Sequence, residues 1–195
     1  MVNNVITDAN VVQLTQKWID IFVVGLKLCP FAPPVIKNKT AHYAVFRDEK
    51  LSVFKSFFEE ECARLMNTDS IETSLIITPE NFLDFDAYLN VLERANKWIE
   101  KWNYEGIFQI ASFHPDYQFE NTDYDDNENF TNRSPFPVFQ ILREKSITEA
   151  AKTFKNIDSI GEQNAERFKA MDFKTILQYH DSIKQNRNTQ NDIKR

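Results

Sequence analysis

The side chains best suited to chemistry crowd into one stretch of this 195-residue chain. From Phe113 to Glu144 it reads FHPDYQFENTDYDDNENFTNRSPFPVFQILRE, and it holds His114, Asp116, Tyr117, Asn129, Asn132, Arg133, Arg143 and Glu144. A histidine at a strand end can serve as a general base while a carboxylate orients its other ring nitrogen. His114 and Asp116 have the types for those roles, although Pro115 between them works against both side chains facing one way. The other reading of His114 is a ring that bonds loop backbone and holds the loop's shape. A guanidinium fork suits a carboxylate or a phosphate. Arg133 and Arg143 are therefore candidates for binding a small anion, with amide donors from Asn132 and a hydroxyl from Tyr117. Against this stands Arg143 pairing with Asp116, Glu144 or another acid to pin the loop.

Cys29 lies outside the stretch, in Leu28-Cys29-Pro30-Phe31, at an irregular helix exit. A thiolate nucleophile needs a base or a positive charge beside it. His114 or Arg133 supplies one only if the fold brings them together; otherwise Cys29 is a small buried residue at a turn. Cys62 falls in an apolar helical stripe and reads as core. His180 has no evident partner and reads as structural or exposed. The acidic run DYDDNEN resembles a calcium loop loosely, but it lacks the central glycine and the spaced final glutamate. There is no CxxC, HExxH or HxH, so no metal and no cofactor are expected.

The net charge of −6 equals the six acids between Asp116 and Glu128, a segment with no base. Acidity is thus local to the loop, and no basic stripe for nucleic acid is visible. Three dispersed glycines cannot write a GxGxxG or a P-loop. No apolar run approaches the roughly 20 residues of a membrane helix, and Met1–Asn10 does not read as a secretory signal. Two cysteines make no disulfide framework. A cytoplasmic protein without nucleic-acid or membrane partners is the expectation.

The surrounding elements must position the loop. Asp8 can cap a helix to about Leu26, with Val11, Leu14, Trp18, Ile21, Phe22 and Gly25 on one face. A short strand fits Ala41–Phe46, and a helix fits Asp48–Met66 with Leu51, Phe54, Phe58, Cys62 and Leu65 inward. Thr73–Thr78 reads as a buried strand, Phe82–Lys101 as a helix with Phe85, Leu89, Leu92, Ala95 and Ile99 inward, and Gly106–Phe113 as a strand delivering His114 at its carboxyl end. Val138–Leu142 suits a strand, and Ser146–Glu149 a capping box opening a helix of Ala150, Ala151 and Phe154. Further helices fit Asp158–Met171 and Phe173–Ile183. The prediction is one α/β (or α+β) domain over residues 1–183. A small, partly parallel sheet of three to four strands is packed with amphipathic helices. The polar residues 184–195 are expected to fray. TSLIIT and GIFQIASF are expected to be neighbouring strands, and Phe119, Phe130 and Phe136 to hold the Pro115–Pro137 loop against the body.

Trp18, Gly25–Ala32 (GLKLCPFA), the Glu61 region, Thr73–Pro79, Gln109–Tyr117 and Asn129–Glu144 together resemble one family, the proteins with domain of unknown function 1415. LCPFA, FHPDY and TNRSP…LRE in that order are a specific combination, and the resemblance spans most of residues 10–165. It implies a soluble, cytosolic bacterial protein with plant relatives, and no activity. It also implies histidine in many members where this chain has Gln140.

Two functions fit these residues. In one, an enzyme acts on a small anionic metabolite by hydrolysis or group transfer. His114 is then general acid/base, Cys29 the nucleophile, Asp116 the orienting acid, and Arg133 with Asn132 the clamp. In the other, a non-catalytic protein uses Phe113–Glu144 as a recognition surface. Clustering of Cys29, His114, Asn132 and Arg133 around one cleft favours the enzyme; dispersal favours the binder.

Overall fold

The computed structural model describes residues 6–152 and 159–184. The expectation for the polar tail beyond 184, and that for Phe154, fall outside these residues. The chain forms an α/β domain on one four-stranded mixed sheet in the order β1 (Ala41–Val45), β2 (Thr73–Ile77), β4 (Val138–Arg143), β3 (Phe108–Phe113). β1 and β2 are parallel, whereas β4 runs antiparallel to both β2 and β3. TSLIIT and GIFQIASF therefore share a sheet but are not neighbours, contrary to expectation. The long loop after β3 reverses the chain, so β4 slots between them antiparallel. β2 is interior and covered on both faces, which is why TSLII is a continuous run without alternation.

Residue alternation along the strands divides the core in two. Leu75, Ile77, Val138 and Phe113 face α1 (Asp8–Trp18), a following π-helical segment (Ile19–Val24), α6 (Ile160–Lys169) and α7 (Phe173–Lys184). Ile76, Phe139, Ile141 and Phe108 face α3 (Leu51–Asn67) and α4 (Phe85–Lys101). The single long first helix read from the sequence is α1 continued in π register: the amides of Gly25 and Leu28 bond the carbonyls of Asp20 and Val23, five residues back, at 2.9 Å each. A short helix α2 (Ala32–Lys37), with prolines in its first turn, then leads into β1.

On α4 the buried face is Tyr88, Val91, Ala95 and Ile99, not the predicted Phe85, Leu89 and Leu92. Tyr88 decides the rotation. Its hydroxyl donates to the Val138 carbonyl (2.7 Å) and accepts the Phe113 amide (3.1 Å), bracing the β3–β4 pair. The capping box at Ser146 does not form, because α5 (Glu144–Ala151) starts two residues earlier, straight out of β4. Ser146 instead donates to Glu72 Oε2 at 2.6 Å. Among the described residues, no helix is long and apolar enough to cross a membrane.

Candidate functional site

Because β1, β2 and β3 run the same way, the loops at their carboxyl ends gather at one edge of the sheet. Arg47, just after β1, ties two of these segments together by bonding Asp8 (2.8 Å) and Glu80. The largest loop there, between β3 and β4, is built from inside by the residues with the most chemical promise.

His114 is completely buried. Its Nε2 lies 3.0 Å from the Phe82 carbonyl oxygen, and its Nδ1 is 3.0 Å from the Asp116 amide. An amide can only donate, so Nδ1 accepts and Nε2 carries the proton: the ring is neutral. Burial pushes its pKa down, partly offset by the Phe82 carbonyl and by Asp116 and Asp84. Phe85 and Tyr88 each pack at 5.1 Å from the ring. Both nitrogens are committed to backbone of two different loops, so His114 holds the loop as the structural reading of the sequence has it. Asp116 is exposed, with its carboxylate accepting the Tyr124 hydroxyl at 2.7 Å; it does not orient the imidazole by its side chain.

Arg133 is 5% exposed. Its Nε donates to Tyr117 O (3.2 Å) and its Nη2 to Tyr124 O (2.5 Å), while the guanidinium carbon sits 4.4 Å from the Tyr124 ring centroid and 4.5 Å from that of Phe130. Burial lowers its pKa, with Tyr124, Asp116 and Asp125 acting the other way. The fork that could clamp an anion thus binds loop carbonyls between two aromatic faces. Asn132 donates to Ser112 O at 3.1 Å, and the Tyr117 ring lies tilted to Phe85 (5.3 Å) and edge-on to Phe119 (5.0 Å). Asn129, fully buried, uses its whole amide: Oδ1 accepts Phe119 N and Thr122 Oγ1 at 2.9 Å, and Nδ2 donates to Asp123 O and Tyr124 O. Phe130 and Phe136 are buried beneath, whereas Phe119, expected to anchor the loop with them, is half-buried at the surface beside Tyr117.

Two candidates lie elsewhere. Arg143 caps the carboxyl end of α3, donating from Nε to Ile71 O (3.0 Å) and from Nη2 to Leu65 O and to Thr68 O (3.1 Å). Cys29 follows Leu28, a member of the α1-side core, whereas His114 packs on α4 on the opposite face of the sheet. Burial raises the Cys29 thiol pKa, and the Phe31 and Ala32 amides offset this only in part. The thiol's polar neighbours are the Phe31 and Ala32 amides, and those of the imidazole are the Phe82 carbonyl and the Asp116 amide. Cys62 is core, its pKa pushed up to about 12 by burial. His180 does have a neighbour, standing edge-on to Phe130 at 5.9 Å.

Sequence reasoning missed Glu61, a buried carboxylate on the core face of α3. It accepts Ser74 Oγ (2.6 Å) and Arg64 Nε (3.0 Å), with His42 Nε2 at 3.5 Å. The signal was present, since Glu61 falls on the Phe54–Phe58–Leu65 spacing. It also missed Phe82, whose φ of +57° no composition rule reveals.

The arrangement that results is a network of His114, Asn129, Asn132 and Arg133, bonded chiefly to backbone with Thr122 and Thr131 hydroxyls on the two asparagines, under an outer skin of acids. The chain belongs to the DUF1415 family. The model of that family, a protein of unknown function, matches residues 10–178. No curated protein and no solved structure matches the chain. The family match includes both the LCPFA segment and the β3–β4 loop, and so takes in both faces of the sheet. Between the middle of the loop and α6 is a depression of about 500 Å³ lined by Asn121, Asp125, Asp126, Asn127, Glu128 and Lys169. There Lys169 Nζ meets Glu128 Oε2 at 2.7 Å in an ion pair without hydrogen-bond geometry. Among the described residues, no group of three or more His, Cys, Asp or Glu side chains is arranged to hold a metal ion.

Proposed function

We propose that this DUF1415 protein is a binding protein whose Phe113–Glu144 loop is a recognition surface. One observation supports this over catalysis on a small anion: His114 is fully buried with both ring nitrogens bonded to backbone, so it has no lone pair or proton to offer a substrate. The commitment of Arg143 to the carbonyls at the end of α3 agrees. A loop so heavily cross-linked inside, yet presenting Asp116, Glu120, Asp123, Tyr124, Asp125 and Asp126 to water, is a rigid display. Rigidity lowers the ordering entropy that binding must overcome.

The test places a photoreactive side chain at Glu120 on the loop or at Glu59 on α3, both exposed. A discrete adduct from the Glu120 position and none from Glu59 is expected in cells. A thermal-shift series against phosphates and carboxylates runs beside it on wild type, Arg133→Lys and His114→Ala. A stabilisation by one anion that both substitutions abolish in folded protein would return the site to the enzyme reading.

A further inference from the structure

α4 carries two apolar stripes, and the sheet uses one. Tyr88, Val91, Ala95 and Ile99 are buried, while Leu89 is 39% exposed and Phe85 and Leu92 are half-buried beside it. Residues 85 and 89 are one turn apart and so neighbours on the helix surface. The stripe runs on beyond the helix. The Phe85 ring lies 5.3 Å from that of Tyr117, and Tyr117 lies 5.0 Å from Phe119; all three remain partly open to water. Leu83, 55% exposed, stands just ahead of the helix. The excess periodicity that misled the sequence reading of α4 is thus a real surface: an apolar and aromatic face crossing from a helix onto the loop. Exposed apolar faces rimmed by polar groups mark interaction sites.

Acids dominate the charge around Phe85, Leu89, Tyr117 and Phe119; the nearest bases on α4, Arg94 and Lys97, come after Leu92, and Lys97 is paired with Glu93. Residues 80–93 and 103–128 contain no lysine or arginine, and Asp84, Asp86, Asp116 and Glu120, each next to a stripe residue in the chain, are exposed. Arg133, the next base along the chain, is enclosed between Tyr124 and Phe130. An anionic occupant meets mostly repulsion, and a neutral one leaves the carboxylates without partners.

We infer that this face docks a cationic amphipathic segment of another protein. Its Lys and Arg side chains lie on the carboxylate rim, and its apolar side chains on Phe85, Leu89, Tyr117 and Phe119. The inference rests on the recognition-loop reading and names the partner's chemistry. The carboxylates steer the encounter, which makes association salt-dependent, and the aromatic strip holds the apolar side chains.

Fluorescence anisotropy of the full chain with three labelled peptides tests it: alternating Arg–Leu, Arg–Ser and Glu–Leu. The Arg–Leu peptide is expected to bind, and each control to bind about tenfold or more weakly, the loss of one buried leucine or of the rim charges. Leu89→Ser, at an exposed position, is expected to weaken Arg–Leu binding with the helical circular dichroism unchanged. Asp86→Asn and Glu120→Gln each weaken it about one-and-a-half- to five-fold, the range of an exposed ion pair. If Glu–Leu binds as well and loses affinity in Leu89→Ser, the cationic partner is overturned and the recognition surface stands. If Arg–Ser equals Arg–Leu and Leu89→Ser changes nothing, apolar docking is overturned. If no peptide binds while the Glu120 cross-link forms, the inference falls and the reading survives; if neither is seen, both fall.

Discussion

The Nε2–H of His114 donates to the carbonyl oxygen of Phe82 at 3.0 Å, and Phe82 holds φ at +57°. A bulky residue in the left-handed region is strained by roughly 1–2 kcal/mol, so the bond stabilises a conformation the backbone would otherwise leave. Through the same ring, Asp116 N–H is bound at Nδ1. One imidazole therefore fastens the loop after β2 to the loop after β3. His114→Ala leaves a buried carbonyl and amide unpaired and a cavity behind; a loss of about 2–4 kcal/mol is expected in urea unfolding. A change within error of zero would contradict the pinning role.

His114 also gives a pH dependence of definite sign. Its folded pKa lies below the ordinary value of 6.5, so between the two the unfolded chain binds more protons and stability rises with pH. The contribution is complete above about pH 6.5 and is lost as pH falls through the folded pKa, where Nδ1 gains a proton facing the Asp116 amide. Urea midpoints measured from about pH 7.5 down to 5 should decline more steeply for wild type than for His114→Gln. Parallel curves would place the titration elsewhere.

Arg143 should be irreplaceable by lysine. Its fork reaches the carbonyls of Ile71, Leu65 and Thr68 together, whereas an ammonium cannot span them. Arg143→Lys is expected to lower stability by about 1–2 kcal/mol. Hydrogen exchange should accelerate in the last turn of α3 before it does in α4; uniform acceleration would mean that the cap is not local.

Asn129→Asp keeps the shape and removes two donors, to Asp123 O and Tyr124 O. It also adds a buried negative charge beneath a run of acids. Faster exchange is expected across residues 116–128, with β2 and β4 protected as before. Loss of protection in the strands instead would show the loop to be part of the cooperative core.

Gly25→Ala reverses a general rule. Alanine ordinarily gains about 0.5–1 kcal/mol over glycine within a helix, and Gly25 has helical dihedrals. The π register, however, brings the Ile21 carbonyl oxygen into the space of a Cβ. Overpacking of this kind costs about 1–3 kcal/mol, so the melting temperature should fall. A rise would mean that the segment relaxes to α register at no cost.

Much of the architecture was legible because periodicity reports burial directly. The strands Thr73–Ile77 and Phe108–Phe113 (the latter two residues shorter at its start than the pattern suggests), the α3 stripe of Phe54, Phe58, Cys62 and Leu65, and the aromatic anchors Phe130 and Phe136 follow from spacing alone. So does the location of the chemistry-bearing side chains in one loop after a strand end. Sequence spacing does not say which direction a loop carries the chain, so the insertion of β4 between β2 and β3 depended on pairing distant segments. Nor does it choose between two apolar stripes on one helix: the Tyr88 hydroxyl, shared by Val138 O and Phe113 N, made that choice on α4. The same limit governs the site. His114, Asn132 and Arg133 are typed by the sequence as donors, acceptors and a fork, but type does not name the partner. Tertiary packing put backbone carbonyls and amides against each of them. A buried polar group must be satisfied by whatever lies nearest; here that is the protein's own main chain.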